Sequence, residues 1–275
     1  MADGMLGDFR LEPVVRGEKV KLGSKAARVE DAPPKEELLD ATAVLLERLT
    51  ELQEDFYADG RHSLLLVLQG RDASGKDGVI GVVTGAFNPS GVSVASFGPP
   101  TELELSHDFL RRIHAAVPRR RMITVFNRSH YEDVLVVRVR KLVGEEVWRA
   151  RYAHINAFEE LLAESGTILR KCMLHVSREE QGVRLRERLD DPKKNWKFRL
   201  GDLEDRALWD DYTEAYKEAL AECSTERAPW YVVPADSKPQ RNYLIARMLV
   251  ETMEGLDLRY PAIDPAVRDA AAGFE

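Results

Sequence analysis

Only two cysteines occur in the 275 residues, Cys172 and Cys223. That scarcity argues against a disulfide framework and for two reduced, structural thiols in a cytoplasmic protein. No group of Cys and His has the spacing of a zinc site. No apolar run approaches the ~20 residues of a membrane-spanning helix, so no membrane association is expected. The stretch Met1 to Asp8 lacks a basic region followed by an apolar block, so no secretory leader is expected. Internal repeats are absent. A positive excess is absent as well: the net charge is −7, which by itself argues against a polyanionic ligand. What remains is a chain with enough apolar residues, 44%, for a real core and enough charged ones, 32%, for long polar helices.

The distribution of charge argues differently from its sum. Arg111, Arg112, Arg119, Arg120, Arg121, Arg128, Arg138, Arg140 and Lys141 stand against only Glu132 and Asp133. A second cluster holds Arg184, Arg186, Arg188, Lys193, Lys194, Lys197 and Arg199, while the acids gather in 36–59 and 204–222. Two readings stand for each cluster: one wall of a basic channel on an acidic body, or a solvated helix face with local ion pairs.

The most informative local feature is a glycine-rich turn leaving an apolar strand. Leu64 to Leu68 is apolar throughout, as in a central parallel strand covered on both faces. Gly70-Arg71-Asp72-Ala73-Ser74-Gly75-Lys76 follows with the spacing of a phosphate-cradling P-loop. Gly70 and Gly75 let the backbone curl with its N–H groups inward, the next helix adds its positive end, and Lys76 reaches a phosphoryl oxygen as a point charge. Gly70, Arg71, Ala73, Ser74, Gly75, Asp77 and Gly78 are therefore expected around the bound phosphates. Asp77 departs from the Ser or Thr usual after the lysine, so metal must be held differently here than in an ordinary ATPase. Asp72 reads either as a magnesium ligand or as a turn-stabilising carboxylate.

The remaining pattern alternates strands and helices. Helices are expected from Leu38 to near Gly60, from Gly75 to about Phe87, over 102–116, 131–141, 145–164, 178–189, 205–222 and 240–254. Strands are expected over 64–68, 92–97, 122–126, 167–176 and 230–234. The fold class is α/β, a doubly wound parallel sheet. Residues 1–33 read as an extended arm, 34–260 as the domain, and 261–275 as a loose tail.

Ligands of such sheets bind beyond the carboxyl ends of the strands. Two further segments point there. Asn127 ends the third strand where an acidic magnesium ligand usually sits, Arg128 beside it suits a phosphoryl oxygen, and Glu132 and Asp133 open the next helix, either as catalytic groups or as simple stabilisers of its N-terminus. His130 is read as packed or capping. The third segment, Arg184 to Arg199, with the stretch Asp190 to Arg199 broken, basic and polar, is typical of a lid closing over phosphates, or of a surface loop.

Together the runs Gly70 to Gly78, Phe126 to Leu135 and Asp191 to Phe198 resemble the polyphosphate kinase 2 family, and Ser106 to Leu110 resembles a further stretch of it. The resemblance extends from about Pro34 to Tyr260. It implies a P-loop kinase fold close to thymidylate kinase, with a helical lid at about 184–204. It implies transfer of a phosphoryl group between inorganic polyphosphate and nucleoside mono- and diphosphates (AMP, ADP, GMP, GDP), with magnesium, or manganese in its place. Many members carry Asp where this chain has Asn127; the chain resembles a subgroup with Asn there and an acidic pair at Glu132 and Asp133, whose members accept both mono- and diphosphates.

On this resemblance Lys76 and Arg128 hold the phosphoryl group in transit, and Asp72, with Asn127 and Glu132, holds the metal. Both basic clusters, including Arg121, Lys193, Lys194, Lys197 and Arg199, become a polyphosphate channel. The family also implies a homo-oligomer, dimer or tetramer. The competing readings are an ATP-dependent nucleotide or small-molecule kinase and a non-catalytic phosphate- or nucleic-acid-binding regulator. No nucleic-acid partner is expected, because aromatics do not alternate with the basic residues as in stacking platforms.

Overall fold

The computed structural model describes residues 4–271. Its centre is a five-stranded, wholly parallel sheet of β1 (Ser63–Gln69), β2 (Val92–Ser96), β3 (Ile123–Asn127), β4 (Thr167–His175) and β5 (Trp230–Pro234), in the order β2-β3-β1-β4-β5. β1 is flanked on both sides and buried along its whole length, which is why its sequence is uniformly apolar. Its side chains still alternate in destination: Leu64, Leu66 and Leu68 enter one core layer, Leu65 and Val67 the other. The register aligns Leu68 with both Asn127 and Cys172, so the carboxyl ends of β1, β3 and β4 lie on one rim, with β4 running on to His175.

Helices cover both faces. On one side lie α1 (Lys35–Asp59), α2 (Lys76–Gly85) and, after β5, α10 (Lys238–Glu254), contributing Leu45, Leu49, Val79, Ile245 and Leu249 to the core. On the other lie α6 (Glu145–Glu164) and α9 (Trp209–Cys223), contributing Trp148, Ile155, Tyr216 and Leu220. α7 (Arg178–Asp190) and α8 (Leu200–Ala207) flank the lid segment, where a single 3-10 turn covers Asn195–Lys197.

Three expected helices are broken. Residues 102–116 give only α3 (Glu102–Leu105), capped reciprocally by Thr101 and Glu104, and α4 (Arg111–His114). Between them Asp108 accepts from the backbone N–H of Leu110 at 3.0 Å, a local turn that competes with the helix. Residues 131–141 form a 3-10 turn at His130–Asp133 and the short α5 (Val136–Val139); a valine-rich run loses rotamer freedom in a helix. The helix expected at 205–222 is split at Leu208.

The N-terminal arm lies along its own chain. Pro13 makes an antiparallel bridge to Tyr231, and Val14 N–H donates to Trp230 O at 2.8 Å, so the arm protects the outer edge of β5. Arg247 of α10 donates to Gly7 O at 2.7 Å. In the tail, expected to be loose, Pro265–Ala271 is an exposed helix, α11; the ends of the arm (1–3) and tail (272–275) lie outside the described residues.

One buried polar knot fixes the segment that follows β3. Lys171 of β4 donates to Tyr131 Oη at 2.8 Å, to Cys223 O at 2.7 Å and to Glu159 Oε2. Glu159 Oε1 accepts from Tyr131 Oη at 2.9 Å and lies 3.1 Å from His130 Nε2. Burial alone would push the Glu159 carboxyl up, but Lys171 and His130 outweigh it and hold it below the ordinary carboxylate value. His130 is therefore a packed residue of the core.

Candidate active site

The loop between β1 and α2 is shaped by two glycines with positive φ, Gly70 (151°) and Gly75 (98°). A side chain on Gly70 would stand 2.7 Å from Leu174 O and 2.8 Å from Ser74 Oγ, so the turn admits none. Lys76 is 9% exposed and its Nζ spans the mouth of the loop, donating to Gly70 O at 2.7 Å and Arg71 O at 3.2 Å. Burial lowers its pKa against the pull of Asp72. Three other loop carbonyls are tied to α7: Gln181 donates to Asp72 O at 3.0 Å, and Arg184 to Ala73 O at 3.0 Å and Ser74 O at 3.3 Å. α7 is thus fastened directly to the loop.

In front of the loop opens a cleft of about 390 Å³, lined by Asp72, Ala73, Gly75, Lys76, Asp77, Asn127 and Arg128 from the sheet rim, Arg184, Glu187 and Arg188 from α7, Lys194 and Lys197 from the lid, and Lys238 from α10. Seven of these side chains are cationic against three carboxylates. Lys197 Nζ lies 3.2 Å from Asp77 Oδ2, and Asn127 Nδ2 donates to Asp77 Oδ1 at 3.2 Å. Although burial acts to raise it, Lys197 and Asn127 leave the Asp77 carboxyl below its ordinary value.

Arg128, at a φ of 62°, divides this cleft from a smaller cavity behind it. Its guanidinium donates to Asp72 Oδ1 at 3.0 Å and Glu132 Oε2 at 3.3 Å. Burial would lower the Arg128 pKa, but these two carboxylates raise it. Glu132 accepts from Gln69 as well, at 3.1 Å, and burial still pushes its carboxyl up against the pull of Arg128. The smaller cavity is lined by Arg71, Glu132, Gln181, Asp205, Tyr212 and Tyr216.

A phosphate loop facing a basic lid across a parallel sheet is the arrangement that the sequence motifs imply. The family model described as polyphosphate kinase 2 matches residues 34–260. The chain belongs to the polyphosphate kinase 2 family. It is 58% identical over 232 residues to an AMP/ADP-polyphosphate phosphotransferase of Meiothermus ruber, covering 84% of this chain and 87% of the relative. To an ADP-polyphosphate phosphotransferase of Rhodopseudomonas palustris it is 43% identical over 268 residues, 93% of each chain. The crystal structure of polyphosphate kinase 2 from Arthrobacter aurescens TC1 superposes with a TM-score of 0.84 at 40% identity, covering 95% of this chain and all of that one.

Within this polyphosphate kinase 2 fold the expected site residues do not all converge. Asp72, Ala73, Gly75, Lys76, Asp77, Asn127, Arg128, Lys194 and Lys197 line the cleft. Arg121 does not: it sits just before the amino end of β3, its N–H donating to His62 O at 2.7 Å and its guanidinium over Tyr57, at the opposite rim of the sheet. Arg71 turns behind the loop, its guanidinium 3.9 Å from the centre of the Trp209 ring and donating to Thr213. Burial pushes its pKa down to about 10. Ser74 is fully buried against Gly70, and Gly78 backs onto Arg241. Lys193 is exposed and bonds through its backbone to Asp191, while the backbone N–H of Arg199 faces Asp202 at 3.4 Å; neither lines the cleft.

Part of the basic cluster of 111–141 is taken up by partners away from the cleft. Arg138 bonds Glu218, Arg140 bonds Glu204 and Asp205, and Arg112 donates to Gly98 O. Only Arg128 of that cluster reaches the cleft. Asp133 pairs with Arg151 at 3.0 Å. Arg184 and Arg188, expected as part of the second basic cluster, do line the cleft, and the lining residues that sequence reading did not single out are Glu187 and Lys238. Lys238 was discoverable: it begins the helix after the last strand, on the rim where parallel sheets bind ligands.

The oxygen donors on the cleft suit a hard divalent cation. Asp72, Asp77 and the Asn127 carbonyl share one wall, the kind of set magnesium accepts alongside phosphate oxygens and water. Of the expected trio, Asn127 lines the cleft, Asp72 lines both the cleft and the smaller cavity, and Glu132 lines the smaller cavity, where Arg128 and Gln69 donate to it. Among the described residues, no group of three or more His, Cys, Asp and Glu side chains forms a metal cluster by itself.

Proposed function

We propose that this cleft transfers a phosphoryl group between inorganic polyphosphate and nucleoside mono- and diphosphates. Family membership makes the chain a polyphosphate-dependent nucleotide phosphotransferase. The observation that carries the finer reading is the composition of the cleft: a P-loop lysine and six further cationic side chains lie around one opening, more than one triphosphate requires.

The chemistry follows from charge. Phosphoryl transfer passes through a loose transition state whose charge lies on the equatorial oxygens, so positioning and neutralisation do most of the catalysis. The loop amides and the N-terminus of α2 receive one phosphate. Lys76 exchanges its two carbonyl partners for phosphoryl oxygens. Arg128, oriented by Asp72 and Glu132, presents its planar donor fork to the group in transit. Lys194 and Lys197, on the exposed lid segment, close over the chain of phosphates and exclude water. Asp72, Asp77 and Asn127 would hold magnesium, or manganese in its place, which would supply further charge neutralisation.

The substrate range we propose is AMP, ADP, GMP and GDP, with the triphosphates as products. The names of the Meiothermus ruber and Rhodopseudomonas palustris relatives support it for the adenine nucleotides. The proposal further places the enzyme in the cytoplasm, which the two unpaired, buried cysteines support, and as a homo-oligomer, dimer or tetramer. No described helix is long and apolar enough to cross a membrane.

The deciding assay supplies each nucleotide and magnesium with either polyphosphate or ATP as sole donor and follows the phosphorylated product. Polyphosphate-dependent product that Lys76→Ala reduces by about 10²–10³-fold is the expected result. Product from ATP alone would support an ordinary nucleotide kinase.

A further inference from the structure

Behind the phosphate loop lies a guanidinium that no carboxylate neutralises. Arg241, in the first turn of α10, is 3% exposed. Its Nε and Nη2 both donate to one neutral acceptor, Asn242 Oδ1, at 3.1 and 2.9 Å. Its other nitrogen, Nη1, presses on the loop: a Cβ placed on Gly75 would lie 2.0 Å from it, and one on Gly78 3.2 Å from Nη2. Among the described residues no Asp or Glu approaches it within ion-pair distance, and the charge that acts on it is another cation, Arg184. Burial pushes its pKa down to about 10, and Arg184 pushes the same way. Lone buried charges are costly to a fold and persist where something repays the cost.

Gly75 stands at the N-cap of α2, immediately before Lys76. The Arg241 charge therefore adds to the helix N-terminus and to Lys76 at the point where the loop receives an anion. It does so from the far side of the backbone, without lining the cleft.

We infer that Arg241 is a positioning residue of the phosphate site: it sets the Gly75 turn and holds a fixed positive charge behind the loop that only an incoming phosphate chain balances. This inference rests on the proposed function and deepens it. The fixed charge strengthens phosphate binding through the low-dielectric protein without reorganising when the ligand arrives. In the ligand-free protein Arg184 opposes the Arg241 charge with no carboxylate on Arg241 to offset it, and polyphosphate relieves this.

The test uses the full chain, with tripolyphosphate as the probe. Arg241→Met fills similar volume without charge, and Arg241→Lys retains charge without the fork. The melting temperature of each is measured with and without tripolyphosphate, and KM and kcat with polyphosphate and nucleotide. For Arg241→Met the ligand-free melting temperature is expected to equal or exceed that of the wild type. Its shift on adding tripolyphosphate should shrink, and its KM for polyphosphate should rise about 10-fold with kcat changed less than about 3-fold, the pattern of lost uniform binding. Arg241→Lys should recover most of the ligand shift. An Arg241→Met protein that responds to tripolyphosphate as the wild type does overturns the inference. So does Arg241→Lys failing as far as Arg241→Met, which would make shape alone decisive. If Arg241→Met does not fold, an Arg241→Lys protein that keeps most of the wild-type shift with tripolyphosphate supports the inference, and one that loses the shift overturns it. A wild-type protein that ignores tripolyphosphate would instead remove the proposed function, and this inference with it.

Discussion

Replacing Lys171 by Met should destabilise the protein severely, and the structure sets the size. All three ammonium protons of Lys171 are used, on Tyr131, Glu159 and Cys223, and the side chain is wholly buried. Methionine fills nearly the same volume, so no large cavity opens and the loss is electrostatic. It leaves the Glu159 carboxylate, 1% exposed, with only Tyr131 and His130 as donors. Breaking a buried pair by removing one partner typically costs about 3–5 kcal/mol, because the other charge remains buried and uncompensated. For a domain of this size each kcal/mol lowers the melting temperature by about 2–4 °C, so a fall of at least ~6 °C is expected. Chemical denaturation gives the free energy directly, and the double variant Lys171→Met with Glu159→Gln closes the cycle. Removing the orphaned charge should recover at least about half of the loss, a coupling that independent sites would not show. The pH profile carries a sign. In the wild type the Glu159 carboxyl lies below its ordinary value of 4.5, so its contribution is present above that value and is lost as pH falls through the lower folded value. A single variant losing less than about 1 kcal/mol, or a double variant losing the sum of the singles, would refute the reasoning.

Asp72→Asn should lower the rate and raise the magnesium concentration giving half-maximal activity; an unchanged titration would place the metal on Asp77 and Asn127 alone. Replacing Lys194 and Lys197 together by Gln should raise KM for long polyphosphate more than for nucleotide and flatten the dependence of polyphosphate binding on ionic strength. Equal losses for both substrates would mean that the lid acts on the transferred group only. Glu132→Gln should leave the melting temperature at pH 7 unchanged or higher, because burial raises the folded pKa of Glu132 above its ordinary 4.5 and the ionised form is costly. That advantage should shrink as pH falls through the folded value toward 4.5, where wild-type Glu132 is protonated in the folded state as well. The same variant should depress AMP phosphorylation more than ADP phosphorylation; an unchanged ratio with a lower melting temperature would leave Glu132 as a stabiliser of its helical turn and nothing more.

Local patterns carried the frame of this protein. An all-apolar run before a glycine-rich turn demands a central strand feeding a phosphate loop, because only glycine tolerates the backbone of positions 70 and 75 and only a doubly covered strand buries both faces. Family motifs added the lid and the reaction class. The destination of each charged side chain was beyond such reading, because it depends on which element packs opposite. Arg121 and Arg128 are seven residues apart and equally basic on paper, yet β3 lies between them and sends one to each rim of the sheet. Glu132 and Asp77 part for a similar reason: Arg128 and Gln69 hold Glu132 at the smaller cavity, while Asn127 and Lys197 hold Asp77 on the cleft. Arg138 and Arg140 look like channel residues until α8 and α9 bring Glu204, Asp205 and Glu218 against them. Arg241 had no signal in the sequence at all, since a single arginine in an amphipathic helix is ordinary, and only the approach of α10 to Gly75 makes its charge count. The strands and the phosphate loop are set by neighbours in sequence, and so they were legible even where the helices expected over 102–116, 131–141 and 205–222 broke; electrostatic partnership is set by neighbours in space, and the tertiary structure alone decided it.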